Sequence, residues 1–209
     1  MKLVAAAGVS VLCVWSGGAS GAAATFDSLV EGDLGPTFVD GGITFFGLDD
    51  RAGTADAPFS CERADGTLGG PGFSAPNAMG FGSWVPGPFA AFSQCGSFSF
   101  TTGAVETFAS VDVFEWMSPA GNTIWLEAYR NGVLVASDSA VIPGNLQINH
   151  WTLSVSGSAF DTLRVNGTGP TDRGIFIGLV DNVVVVPGPA TAGVAAAAVL
   201  LGLRRRRSR

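Results

Sequence analysis

Polar and apolar residues alternate from Thr123 to Tyr129 in a way that only an extended chain can use. Ile124, Leu126 and Ala128 fall on one side, and Trp125, Glu127 and Tyr129 fall on the other. Successive side chains of a strand point to opposite faces, so this segment predicts a strand with one face in a core. Asn131-Gly132 follows, a pair that accepts the positive φ angles of a type I′ turn, and Val133-Leu134-Val135 begins a returning strand. Similar β-branched and aromatic runs predict strands at residues 43–46, 96–101, 110–116, 151–155, 162–165 and 176–186, with a short first strand at 25–29. Gly, Pro, Asn and Asp punctuate these runs, and the body shows no sustained helical periodicity. The pattern predicts an all-β fold, an antiparallel β-sandwich. Between Asp49 and Gln94 the alternation gives way to Gly, Pro, Ser and Ala, which predicts a long irregular loop.

The two ends follow a different pattern. Met1-Lys2, an apolar stretch to Trp15, and small residues ending in Ala22-Ala23-Ala24 have the layout of a signal peptide, an N-terminal helix removed on export. Residues 1–24 are therefore assigned to the leader, with a cut a few residues earlier as the alternative. At the other end, Pro187-Gly188-Pro189 precedes an apolar run of 14 residues, 190–203, and then Arg204, Arg205, Arg206 and Arg207. As a helix that run reaches only about 21 Å, short of a bilayer core of roughly 30 Å. The arginines would hold this end on the cytoplasmic side and leave the body outside. Residues 25–186 then form one domain and 187–209 a tail, with transient membrane contact through both termini.

Charge sharpens this division. All 17 acidic residues lie in the body, against five arginines and no lysine there, which leaves it at −12 while the whole chain is −6. A body this acidic argues against nucleic acid as a partner, because phosphate binding needs cations. Cys61 and Cys95 are the two cysteines outside the leader, and in an exported domain they predict one disulfide. A loop of about 35 residues would make that bond worth about 4 kcal/mol in the chain-entropy picture.

The tail, Val186-Pro187-Gly188-Pro189-Ala190 with its apolar helix and arginine cluster, resembles the PEP-CTERM sorting signal. The family departs from this chain at Gly188, where it usually has Glu. The resemblance implies an exported Gram-negative protein, processed at the inner membrane by a transpeptidase-like exosortase and delivered to the cell surface or extracellular matrix. Phe26-Asp27, residues 151–165 and residues 176–185 also resemble jelly-roll domains akin to carbohydrate-binding modules. That second resemblance implies exopolysaccharide as a partner and, in such modules, a structural calcium between first and last strands. Asp27 and Asp181 match that placement, while capping a strand bend with Asn182, or facing water, are the other uses for Asp181.

Chemistry-bearing motifs are scarce. His150 is the single histidine, so a histidine triad or multi-histidine metal site would have to include it, and no G-x-S-x-G, Walker loop or H-E-x-x-H is present. The chain is read as a non-enzymatic surface protein with no required cofactor. The alternative is a secreted glycan-active hydrolase using paired carboxylates. Trp125 and Tyr129, with Glu127 between them, are the candidate sugar platform; Trp116 and Trp151 are assigned to the core and Trp84 to its own loop.

Overall fold

A computed structural model describes residues 21–50, 54–64, 74, 76–84, 94–115, 118, 120–144, 147–168 and 176–188. These residues carry thirteen strands and no helix: β1 (Ala22–Ala24), β2 (Gly32–Gly35), β3 (Thr37–Asp40), β4 (Ile43–Asp50), β5 (Phe59–Arg63), β6 (Asn77–Phe81), β7 (Gln94–Thr101), β8 (Glu106–Glu115), β9 (Thr123–Arg130), β10 (Val133–Val141), β11 (Asn149–Phe160), β12 (Thr162–Thr168) and β13 (Phe176–Pro187). Both terminal helices predicted from the sequence fall outside the described residues.

The strands pair antiparallel in two layers, a β-sandwich. One layer runs β3-β4-β7-β12-β9-β10, and the other β2-β5-β6-β13-β8-β11, with β1 also on β13. The start of β13 reaches β7 through Phe176↔Cys95, so the last strand passes from one layer to the other. The alternation that predicts β9 sets its orientation: Ile124, Leu126 and Ala128 are fully buried, and Trp125, Glu127 and Tyr129 are half-buried on the outside. Between the layers, Phe38 stacks on Phe45 at 4.9 Å, Phe45 on Phe100 at 5.7 Å, and Phe59 meets Phe98 edge-on at 6.0 Å. Offset and edge contacts of this kind suit the ring quadrupole, and buried rings dominate core energetics.

Two expectations need correction. Residues 25–29 form a turn: Phe26 takes φ +59°, and the Leu29 amide donates to the Phe26 carbonyl at 3.0 Å. The turn lets the Phe26 ring enter the core while its N–H donates to Asp40 Oδ2 at 3.0 Å. The first strand is instead Ala22–Ala24, which residue preference for strands does not favour. The supposed long loop contains β5 and β6. These strands are buried on both faces, so they do not alternate. Gly80 is small because a Cβ there would lie 2.6 Å from both Glu62 Cγ and Ser60 Oγ.

The start of β1 and the end of β13 lie at one end of the sandwich. Ala22, Ala23 and Ala24 pair with Val185, Val184 and Val183 of β13. The turns after β3, β7, β9 and β11 gather at that same end. Asp161 ties several of them together. Its carboxylate accepts from Arg130 Nη1 at 3.3 Å and from the Asn131 amide at 3.0 Å, and its carbonyl accepts from Thr101 Oγ1 at 2.7 Å.

Candidate functional site

The outer face of the β3-β4-β7-β12-β9-β10 layer gathers the aromatic and polar side chains that could hold a ligand. On β9, Trp125, Glu127 and Tyr129 project together, as alternation requires. Trp125 Nε1 donates to Thr168 Oγ1 at 2.8 Å, and the Tyr129 hydroxyl donates to Glu127 Oε2 at 2.8 Å. Desolvation, with the Glu127 carboxylate as acceptor, pushes the Tyr129 phenol up, which keeps it a donor. Register extends the row across neighbouring strands. Glu127 stands opposite Arg164 and Ser137, Trp125 opposite Asn166 and Ser139, and Tyr129 opposite Thr162. Arg164 Nη2 donates to Ser97 Oγ at 2.8 Å on the next strand.

Arg164, Asn166 and Ser97 were not identified from sequence. Alternation on 162–165 puts Thr162 and Arg164 on a common face, but only the pairing register brings them beside β9. Of the other tryptophans, Trp151 is half-buried and packs against the core as expected. Trp84 is half-buried and its backbone amide donates to Asp33 Oδ1 at 2.6 Å, away from this face. Trp116 lies outside the described residues.

The other layer holds the acidic candidates. Asp181 is fully buried and well supplied with donors: the Ser74 amide at 2.7 Å, Ser74 Oγ at 2.9 Å, and the Asn182 amide at 2.7 Å. Asn182 has φ +48° and the register slips between Asp181 and Val184, so this carboxylate does cap a bend in its strand. Desolvation raises the Asp181 carboxyl to about 6, partly offset by those donors, with Asp27 adding repulsion. Asp27 Oδ1 accepts from the Asn77 amide at 3.2 Å. Asp27 and Asp181 are thus electrostatic neighbours. Among the described residues, no group of three or more His, Cys, Asp or Glu side chains could hold a metal.

Asp112 is the cross-strand partner of Asp181. It accepts from Thr152 Oγ1 at 2.6 Å and Asn182 Nδ2 at 3.0 Å, and lies 3.5 Å from His150 Nε2. His150 lies flat on Phe114, with 4.5 Å between ring centroids. Thr152 donates to the carboxylate and not to the imidazole, so the three do not form a nucleophile–base chain of the triad kind.

The two cysteines are free, which corrects the expected disulfide. Cys61 is on β5 and Cys95 on β7, strands of different layers, and both thiols are buried. Desolvation first, then nearby acids, push the Cys61 thiol up to about 12, and burial drives Cys95 upward as well. In the Pro187-Gly188-Pro189 segment predicted as a sorting motif, Pro187 pairs with Glu106 at the end of β13. The Gly188 amide donates to the Val105 carbonyl at 3.3 Å, and Gly188 is buried. Pro189 and Arg204, Arg205, Arg206 and Arg207 lie outside the described residues.

No family model matches the chain, and no curated protein matches it. Among solved structures it is similar to the enzymatically active domain of tailspike protein 4 from bacteriophage CBA120, at 11% identity and TM-score 0.33, covering 61% of this chain. The match spans only 16% of that tailspike chain. It is also similar to a cleaved adhesin domain of Lys-gingipain from Porphyromonas gingivalis, at 10% identity and TM-score 0.42, covering 81% of this chain and 99% of that one. At these scores neither neighbour bears on what this chain binds or does.

Proposed function

We propose that this chain is a non-enzymatic protein, exported and sorted through its tail to the cell surface or extracellular matrix, whose sandwich is jelly-roll-like and binds exopolysaccharide. The observation that carries the binding reading is the outer row of Trp125, Glu127 and Tyr129. Residues four apart on a strand lie about 13 Å apart, the span of two to three sugar units. The surrounding side chains are mostly hydroxyls and amides: Ser137 and Ser139 on one flank, Thr162 and Asn166 on the other. Arg164 opposite Glu127 balances its charge locally, although the body as a whole is acidic. A face of this kind favours a neutral glycan chain over an anionic one.

The rival reading, a hydrolase with paired carboxylates, has a cross-strand pair in Asp112 and Asp181. Asp181 has the raised proton affinity of a general acid, but it is fully buried beneath Ser74 and could not touch a glycosidic oxygen as it stands. The proposed function requires no cofactor. A calcium at Asp27 and Asp181 would have to replace the Ser74 and Asn182 bonds, and a chelator that lowers the melting temperature of wild type but not of Asp181→Ala is the result that would place it there.

Binding is tested with Trp125→Ala, titrated against the host's exopolysaccharide. Affinity is expected to fall at least about tenfold, or 1.4 kcal/mol. The melting temperature should drop only slightly, since the ring is half-exposed and loses one hydrogen bond to Thr168. A loss of about 3–5 kcal/mol of stability would mark the ring as core instead. Release of new reducing ends from the polysaccharide would favour the hydrolase.

A further inference from the structure

We infer that the mature protein keeps residues 22–188: the leader is removed at the Gly21–Ala22 bond or before it, and the tail is cut on the C-terminal side of Gly188. The inference rests on the export-and-sorting reading above and fixes where both cuts fall.

The N-terminal limit comes from β1. Ala22–Ala24 holds three register positions against Val183–Val185, and Ala24 is fully buried within the main core. The turn between β3 and β4 is seated on this strand. Gly41 has φ +54°, and a Cβ there would overlap the Ala23 carbonyl oxygen. Gly41 is therefore fitted to a strand that a cut after Ala24 would remove. Such a cut would also leave Val183–Val185 without partners along the edge that β1 covers, inside an otherwise paired sheet. A leader-type cut needs small residues at its first and third positions upstream. Ala19 and Gly21 supply them for the Gly21–Ala22 bond just as Ala22 and Ala24 do for the later one.

The C-terminal limit comes from the end of β13. Pro187 is still in register with Glu106, and Gly188 is buried, with its amide on the Val105 carbonyl. A Cβ at position 188 would lie 2.7 Å from Thr107 Cγ2, so the glycine is fitted to its neighbour. This packing accounts for Gly188 where the resembled motif has Glu: the middle residue of Pro-Gly-Pro belongs to the folded body. A sorting enzyme must bind its substrate in the open, and Pro187 and Gly188 are both held in these contacts.

In the first cut, water adds to the Gly21 carbonyl, giving a carboxylate on the leader and a free amine on Ala22. In the second, the acyl group on the body side of the broken bond passes to water or to an amine acceptor, and the tail departs with a new amine.

The test is intact-mass measurement with terminal peptide mapping on protein taken from the envelope or medium of its native host. The expected result is a first residue no later than Ala22, and a body ending at Gly188 or shortly after, without Arg204–Arg207. A first residue of Ala23, Ala24 or Thr25, or a last residue of Pro187 or earlier, would overturn the inference and leave export standing. Recovery of both Met1 and Arg209 in the exported fraction would overturn the export-and-sorting reading itself.

Discussion

Glu62 shows how a single carboxyl can set the pH dependence of this fold. It is 2% exposed on β5, its Oε2 has no hydrogen-bond partner, and a Cβ on Gly80 would crowd its side chain. Desolvation is the main cause that raises it from 4.5 to about 7, with Glu31 and Asp33 adding repulsion. The folded state then holds a proton that the unfolded chain releases, so stability falls as pH rises through that window. Asp181, raised from 3.8 to about 6, acts in the same sense at slightly lower pH. The melting temperature is expected to decline from about pH 4 to about pH 7. Glu62→Gln, which keeps the shape and removes the ionisation, should raise stability by about 2–3 kcal/mol above pH 7.5 and change it little at pH 4.5. Equal effects at both pH values would mean the carboxyl is not what titrates. Because the body carries many acids, some decline would persist in the variant, and the difference between the two proteins isolates Glu62.

Among the strands, β5 and β7 decide the fate of the thiols. Their cysteines sit in separate layers, buried and held protonated, so neither is a ready nucleophile. Native protein should resist alkylation at Cys61 and Cys95, and both should label fully once it is unfolded. A reducing agent should leave the melting curve unchanged. A linked Cys61–Cys95 peptide under non-reducing digestion would overturn this. The strands differ in how legible they are from sequence, and the reason is which of their faces are wet. β9 alternates and is followed by a positive-φ pair, Asn131 at +50° and Gly132 at +78°, from which β10 returns, so this hairpin is read correctly down to the turn. β5 and β6 are hidden because both faces are covered, which replaces alternation with Ser, Ala and Gly. β1 is hidden because three alanines carry no strand signal, and its existence depends on Val183–Val185 far along the chain. The candidate site was half legible for a similar reason. Trp125, Glu127 and Tyr129 follow from local pattern, whereas Arg164, Asn166 and Ser97 join them only through register. Two cysteines predict a disulfide that this fold does not make, because spacing along a chain does not reveal where each thiol is buried.

At the scale of the molecule, the adjacency of Ala22–Ala24 and Val183–Val185 has a mechanical side. The two strands run antiparallel, so Ala22 and Gly188 lie at the same end of the sandwich. A pull applied between those two points would not shear the ladder, in which all its hydrogen bonds share the load. It would unzip them, loading the bond nearest the exits first and then each successor. The outermost unit is short, so β1 should peel from β13 at low force while the rest of the sandwich stays closed. Gravity-scale handling never tests this, but a tether at each terminus does. While both of those points are held, any separation of their anchors falls on three residues of β1. Once either end is released, the same tether transmits no tension across the domain.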